Sequence, residues 1–158
     1  MRRLPNGRID PFEQVDIADN VLNEVFRTTE RLKVKAFLMY GTCLGFIRDG
    51  GYIKGDNDLD IGVICRKKKM KKLIRRLMKN GFTQRGRFWR YRNNIHVYKD
   101  RILIDFYFCK SGEFYSSLEY VQYKGKKYPV PCPVKQYLSA CYSNWEKKEK
   151  QVSHYYGG

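Results

Sequence analysis

Asp58 and Asp60 stand two residues apart at the head of an apolar run, Asp58-Leu59-Asp60-Ile61-Gly62-Val63-Ile64. The run reads as a strand, and in a strand residues i and i+2 share a face. The two carboxylates therefore project together, while Leu59, Ile61 and Val63 face a core. Neighbouring carboxylates repel each other, which raises the pKa of at least one unless a cation intervenes. An all-oxygen ligand set favours Mg2+ or Mn2+. A third acid, Asp105, is the one charge in Ile102-Leu103-Ile104-Asp105-Phe106-Tyr107-Phe108. A carboxylate buried there without a partner is costly, so Asp105 is expected to join the same site.

The segment before the pair suits phosphate. Phe37 to Tyr40 ends an apolar strand, and Gly41-Thr42 follows as a turn in which the backbone can approach an anion. The Thr42 hydroxyl and the amides opening the next short helix, Leu44 to Arg48, would bind that anion. Arg48 and Lys54, in the loop leading to Asp58, are candidates for neutralising transition-state charge. Together these parts fit phosphoryl or nucleotidyl transfer, with ions held by Asp58, Asp60 and Asp105 clamping the entering and leaving oxygens.

The elements that must position these residues follow from periodicity. A long amphipathic helix is expected from Pro11 to Leu32, capped by Asp10. Residues 66–79 hold nine Lys or Arg, yet Met70, Leu73, Ile74, Leu77 and Met78 recur at helical spacing, and Asn80-Gly81 is a natural stop. This helix reads first as a solvated basic face over a sheet, with nucleic-acid binding second. Phe82 to Tyr91, Ile95 to Lys99 and Arg101 to Phe108 read as a meander. The first of these strands interleaves Arg85, Arg87, Arg90 and Arg92 with aromatics, which suits base stacking but also simple half-exposed alternation. Tyr120 to Val130 reads as a hairpin, Val134 to Tyr142 as a last helix, and Trp145 as packing back. His96 reads as an outward or satisfied strand residue, and Cys43 as a small packed residue.

The 158 residues suit one compact α/β (α+β) domain over 11–145, with a lead at 1–10 and a charged Tyr/Gly tail at 146–158. The net charge of +16 implies anionic partners. Five cysteines without metal spacing point to reduced thiols in the cytoplasm. No apolar run reaches membrane-span length, which leaves peripheral membrane contact open.

The stretch Tyr40-Gly41-Thr42-Cys43-Leu44-Gly45-Phe46-Ile47-Arg48 through Asp56-Asn57-Asp58-Leu59-Asp60-Ile61-Gly62-Val63 strongly resembles the signature of the LicD/fukutin family. The likeness extends to Ile104 to Phe108 and to the Val130 to Trp145 segment. Lys54-Gly55 stand where that family has Pro-Trp, and Asn57 replaces its middle Asp. The resemblance implies a nucleotidyltransferase-fold mixed sheet flanked by helices. It also implies a metal-dependent transferase moving a phospho-substituted alcohol, phosphocholine or ribitol phosphate, from a CDP-linked donor to a carbohydrate or phosphorylated glycan hydroxyl. Carried over by residue, Gly41 and Thr42 match the phosphate turn, Arg48 the loop arginine, Asp58 and Asp60 the metal pair, and Asp105 the third carboxylate. Asp56 matches the first acid of the run and is assigned to supporting the loop. Two alternatives stand beside this: a nucleotidyltransferase acting on a small molecule, protein or RNA, and a non-catalytic basic binding module.

Overall fold

The computed structural model describes residues 7–86 and 94–148. The first helix, α1 (Val15–Arg31), buries Ala18, Val21, Leu22, Val25 and Phe26 on one face. It starts later than its apolar pattern suggests. Asp10 Oδ1 accepts the Phe12 N–H at 2.8 Å and so closes a preceding turn, while Gln14 occupies the position before the helix without a side-chain cap. Phe12 falls outside the helix and stays exposed.

Strand β1 (Lys35–Leu38) leads into α2 (Tyr40–Arg48), and β2 (Asp58–Ile64) follows the glycine-punctuated loop. Gly41 and Thr42 lie inside the first turn of α2, so the expected turn is helix from its start. The basic helix α3 (Lys67–Lys79) buries Met70, Leu73, Ile74 and Leu77, each worth roughly 1.5–3 kcal/mol of burial. Three lysines in its first turn oppose the helix dipole, so this apolar face carries the helix. Met78, read as part of that face, is instead exposed. Gly81, at a φ of 92°, stops the helix in the left-handed conformation that glycine tolerates.

Three strands follow: β3 (Thr83–Arg85), β4 (Asn94–Lys99) and β5 (Ile102–Phe108). The remainder of the expected Arg-rich strand, with Arg87, Arg90 and Arg92, lies outside the described residues. The main sheet has the order β1-β2-β5-β4-β3, in which β2 and β5 run parallel and the other neighbours antiparallel. The meander thus does not stand apart: β5 inserts beside β2 at the centre. Leu59, Ile61, Val63, Ile104 and Phe106 are buried. They alternate with the acids along β2 and β5, so the acids share the face opposite this apolar set, with the buried Leu103 beside them.

The hairpin of β6 (Leu118–Tyr123) and β7 (Lys126–Pro131) precedes α4 (Val134–Cys141). Trp145 packs back as expected, buried and donating from Nε1 to Ser139 Oγ at 3.0 Å. Gly62 on β2 lets the side chains of Phe37 and Met39 pack directly against the strand backbone. A methyl there would strike the Phe37 ring and the Met39 sulfur.

Candidate active site

Asp60 is the most constrained side chain of the site. Its N–H donates to Thr42 Oγ1 at 2.9 Å, and its carbonyl accepts the Met39 N–H at 3.0 Å, so β2 is clamped to the start of α2 at this residue. Its carboxylate accepts a bond from Tyr107 Oη at 3.2 Å and another from the Gly41 N–H. The Thr42 hydroxyl, expected to meet phosphate, is buried and serves to place Asp60.

One carboxylate oxygen from each of Asp56, Asp58 and Asp60 lies within 4.8 Å of the other two. Ligands about 2.1 Å from a Mg2+ stand up to about 4.2 Å apart, so a slight inward rotation brings this set to bonding distance. Asp56, read from sequence as a loop support, therefore sits in the acidic cluster itself. Its place is kept by Gly41, because a methyl there would collide with Asp56 Oδ2. The loop carrying Asp56 is also tied to the N-terminal lead, with the Gly55 N–H donating to Asp10 Oδ2 at 2.6 Å.

The electrostatics match a cluster built for a cation. Burial, then the Asp60 charge, a bond that the protonated Asp58 donates to Asp56, and the Asp105 charge push Asp58 up to about 9. Burial and the charges of Asp56 and Asp105 raise Asp60, against the bonds from Tyr107 and Gly41. Asp56 is raised by burial as well. The donor set is all oxygen and carries uncompensated negative charge, which fits a hard divalent cation.

Asp105 faces Asp60 in register across the parallel strands, so the two side chains leave the same face. Its Oδ1 is paired with Nδ1 of His96, which lies opposite on β4. His96 is thus bound to the site and not merely a surface strand residue. Arg48 and Lys54 both line the cleft over the acids. The Arg48 guanidinium is buried and committed to Asp49, with Nε to Oδ1 at 2.8 Å and Nη2 to Oδ2 at 2.9 Å, while Nη1 donates to the Lys147 carbonyl at 3.0 Å. It fastens the end of α2 to the chain after α4. Lys54 is exposed at the rim. The cleft encloses about 1140 Å³, with Tyr40, Tyr107 and Tyr142 beside the acids and Tyr52 and Tyr123 in its wall.

Asp56 was legible in principle, since it precedes Asp58 by two residues and the acids alternate. Tyr107 carried the same signal at two residues past Asp105. His96 carried none, because its place depends on how β4 registers on β5. Cys43 is fully buried and burial holds its thiol protonated, so it takes no part.

The five-stranded mixed sheet, with paired acids on an inner strand clamped to the start of the preceding helix, is a nucleotidyltransferase fold. The solved structures agree. The lincosamide antibiotic adenylyltransferase LnuA, in its lincomycin-bound form, superimposes with a TM-score of 0.55 at 15% identity, covering 73% of this chain and 80% of that one. A nucleotidyltransferase from Thermotoga maritima gives 0.53 at 15% identity over 86% of this chain and 88% of that one. ANT(2")-Ia in complex with adenylyl-2"-tobramycin gives 0.51 at 10% identity over 72% of this chain and 67% of that one. Residues 33–106 match the family model described as LicD/FKTN/FKRP, nucleotidyltransferase domain. The resemblance read from Tyr40 to Val63 is thereby confirmed on the segment that carries the site. No curated protein matches the chain.

Proposed function

We propose that the protein is a metal-dependent transferase that moves a phospho-substituted alcohol from a CDP-linked donor to a carbohydrate hydroxyl. The observation that carries this reading is the convergence of Asp56, Asp58 and Asp60 beneath an open cleft, with Asp105 in register alongside. Asp58 and Asp60, helped by Asp56, would hold Mg2+ or Mn2+, which would supply charge neutralisation for the donor phosphates.

The chain's own residues do the rest. Thr42 and Met39 fix the backbone of Asp60, so its carboxylate is aimed before any ligand arrives. Gly41, without a side chain, lets the Asp56 carboxylate close against the backbone beside Asp60. Lys54 at the rim adds positive charge where the donor enters. The acceptor oxygen forms a bond to the phosphorus nearer the alcohol, the bond from that phosphorus to CMP breaks, and CMP leaves with the bonding electrons. The hydroxyl proton departs toward Asp105 Oδ2, since Oδ1 is held by His96.

The runner-up reaction on the same site transfers a nucleoside monophosphate. Incubation with Mg2+ and CDP-choline, CDP-ribitol, CTP or ATP, each labelled at a chosen phosphorus, separates the two. Phospho-alcohol transfer leaves free CMP. Appearance of the nucleoside monophosphate on the acceptor would sink the proposal.

A further inference from the structure

Among the described residues three large apolar side chains are exposed, Phe12, Met78 and Tyr120, and of these Phe12 lines the cleft over the acids, at 47% exposure. A ring left this open forgoes the stabilisation that burial would give. The fold nevertheless holds it in place through Asp10, whose Oδ1 accepts the Phe12 N–H at 2.8 Å and whose Oδ2 accepts the Gly55 N–H at 2.6 Å. One carboxylate thus joins the turn that carries Phe12 to the loop that carries Lys54 and Asp56. Gly55 has a φ of 85°, and a methyl there would meet nothing within 4 Å, so the space beside this loop is open. Val15, just past the turn, and Ile53, just before Lys54, are half-buried and line the same cleft, which gives it an apolar patch as well as an acidic floor.

We infer that the turn at residues 10–12 is the base platform of the nucleotide site: the Phe12 ring stacks on the base of the donor, and Asp10 holds that ring against the metal-binding loop. The inference rests on the nucleotide-donor reading for the identity of the ligand. Its recognition chemistry comes from the patch. The alcohol, the phosphates and the ribose of such a donor have no flat π face, whereas the base has one and stacks on an aromatic side chain without needing a hydrogen bond. The phosphates are anionic and belong with Lys54 and the acids that would hold a cation, which leaves the apolar patch to the base. Asp10 touches no ligand and is a positioning residue. The platform also lies outside residues 33–106, the segment that matches the family model, so it is supplied by this chain's own N-terminal lead.

Calorimetry of the full chain with Mg2+ isolates the base when CMP is compared with ribose 5-phosphate, since both carry the ribose and the phosphate. CMP should bind at least roughly tenfold tighter. Phe12→Leu, apolar but not aromatic, should remove most of that advantage and Phe12→Tyr should keep it, with ribose 5-phosphate unaffected by either. Asp10→Ala should reduce the CMP advantage and also weaken Mg2+ binding measured without nucleotide, and Asp10→Asn, which keeps one acceptor oxygen, should fall between. Equal wild-type affinity for the two ligands, a full CMP advantage in Phe12→Leu, or an equal loss of both ligands in that variant overturns the inference. Asp10→Ala with both affinities intact overturns the part given to Asp10. A CMP advantage that depends on Phe12, together with no release of CMP from CDP-choline or CDP-ribitol, would overturn the transfer reading and leave the base platform standing.

Discussion

Asp58 joins an i+2 strand pair to a third acid from the preceding loop, and the consequence is a measurable charge defect. Its carboxyl is pushed from the ordinary carboxylate range up to about 9. Between those values the folded state holds a proton that the unfolded chain has lost, so this contribution to stability is present at low pH and fades as pH rises toward 9. In EDTA, the wild-type Tm should fall more steeply than that of Asp58→Asn between about pH 5 and about pH 8.5, and Mg2+ should recover the wild type most at the upper end. Parallel slopes for the two proteins would refute the assignment. Gly41→Ala tests the same cluster by shape. The added methyl displaces Asp56, so calorimetric Mg2+ affinity should drop at least roughly tenfold while the far-UV spectrum stays native. In catalysis, Asp60→Asn should lower transfer by about a thousandfold or more.

At the scale of elements, the site depends on clamps between segments distant in the chain. Thr42 holds β2 to α2, and Asp19 of α1 gathers the cleft wall. The Asp19 carboxylate accepts bonds from Tyr52 Oη at 2.8 Å, Tyr123 Oη at 2.7 Å and Lys124 Nζ at 2.6 Å. Those donors come from the loop after α2 and from the β6–β7 hairpin, so one acid joins three elements. Removing it strands the buried Tyr52 hydroxyl. Asp19→Ala should cost about 1–3 kcal/mol in denaturant unfolding, and an unchanged midpoint would show that the hairpin is held by its aromatic packing alone. Helix periodicity made α1, α3 and α4 legible in the sequence, because each has one apolar face to bury. The start of α2 was not legible, because Gly41-Thr42 favours a turn locally. Tyr40, at a φ of 40°, enters the helix under a strain that tertiary contacts offset, among them its N–H donating to Tyr137 Oη at 2.9 Å.

For the whole molecule, the charge of +16 is laid over a fold whose site is locally acidic. Exposed Lys68, Lys72 and Arg75 of α3 stand on the face opposite its buried residues, so polyanion binding and transfer are separable. Replacing these three with Gln should weaken binding to a random single-stranded RNA and flatten its salt dependence by about two units of log slope, with donor turnover unchanged. A parallel loss of turnover would place α3 in the reaction. No helix among the described residues is long and apolar enough to cross a membrane.

Chemistry carried by neighbours in the chain was readable from the residues themselves. The shared face of Asp58 and Asp60, the apolar flanks of Asp105 and the Tyr40 to Val63 signature all follow from strand parity and residue type. Tertiary structure decided what joins them. Asp60 and Asp105 stand in register although 45 positions separate them, His96 meets Asp105 through an antiparallel neighbour, and Asp10 reaches Gly55 from the lead. Periodicity reports which face a side chain takes but not which strand lies beside it or in what register. The acidic pair could therefore be found in one stretch of sequence, while the row of Asp60, Asp105 and His96 exists only once the sheet has formed.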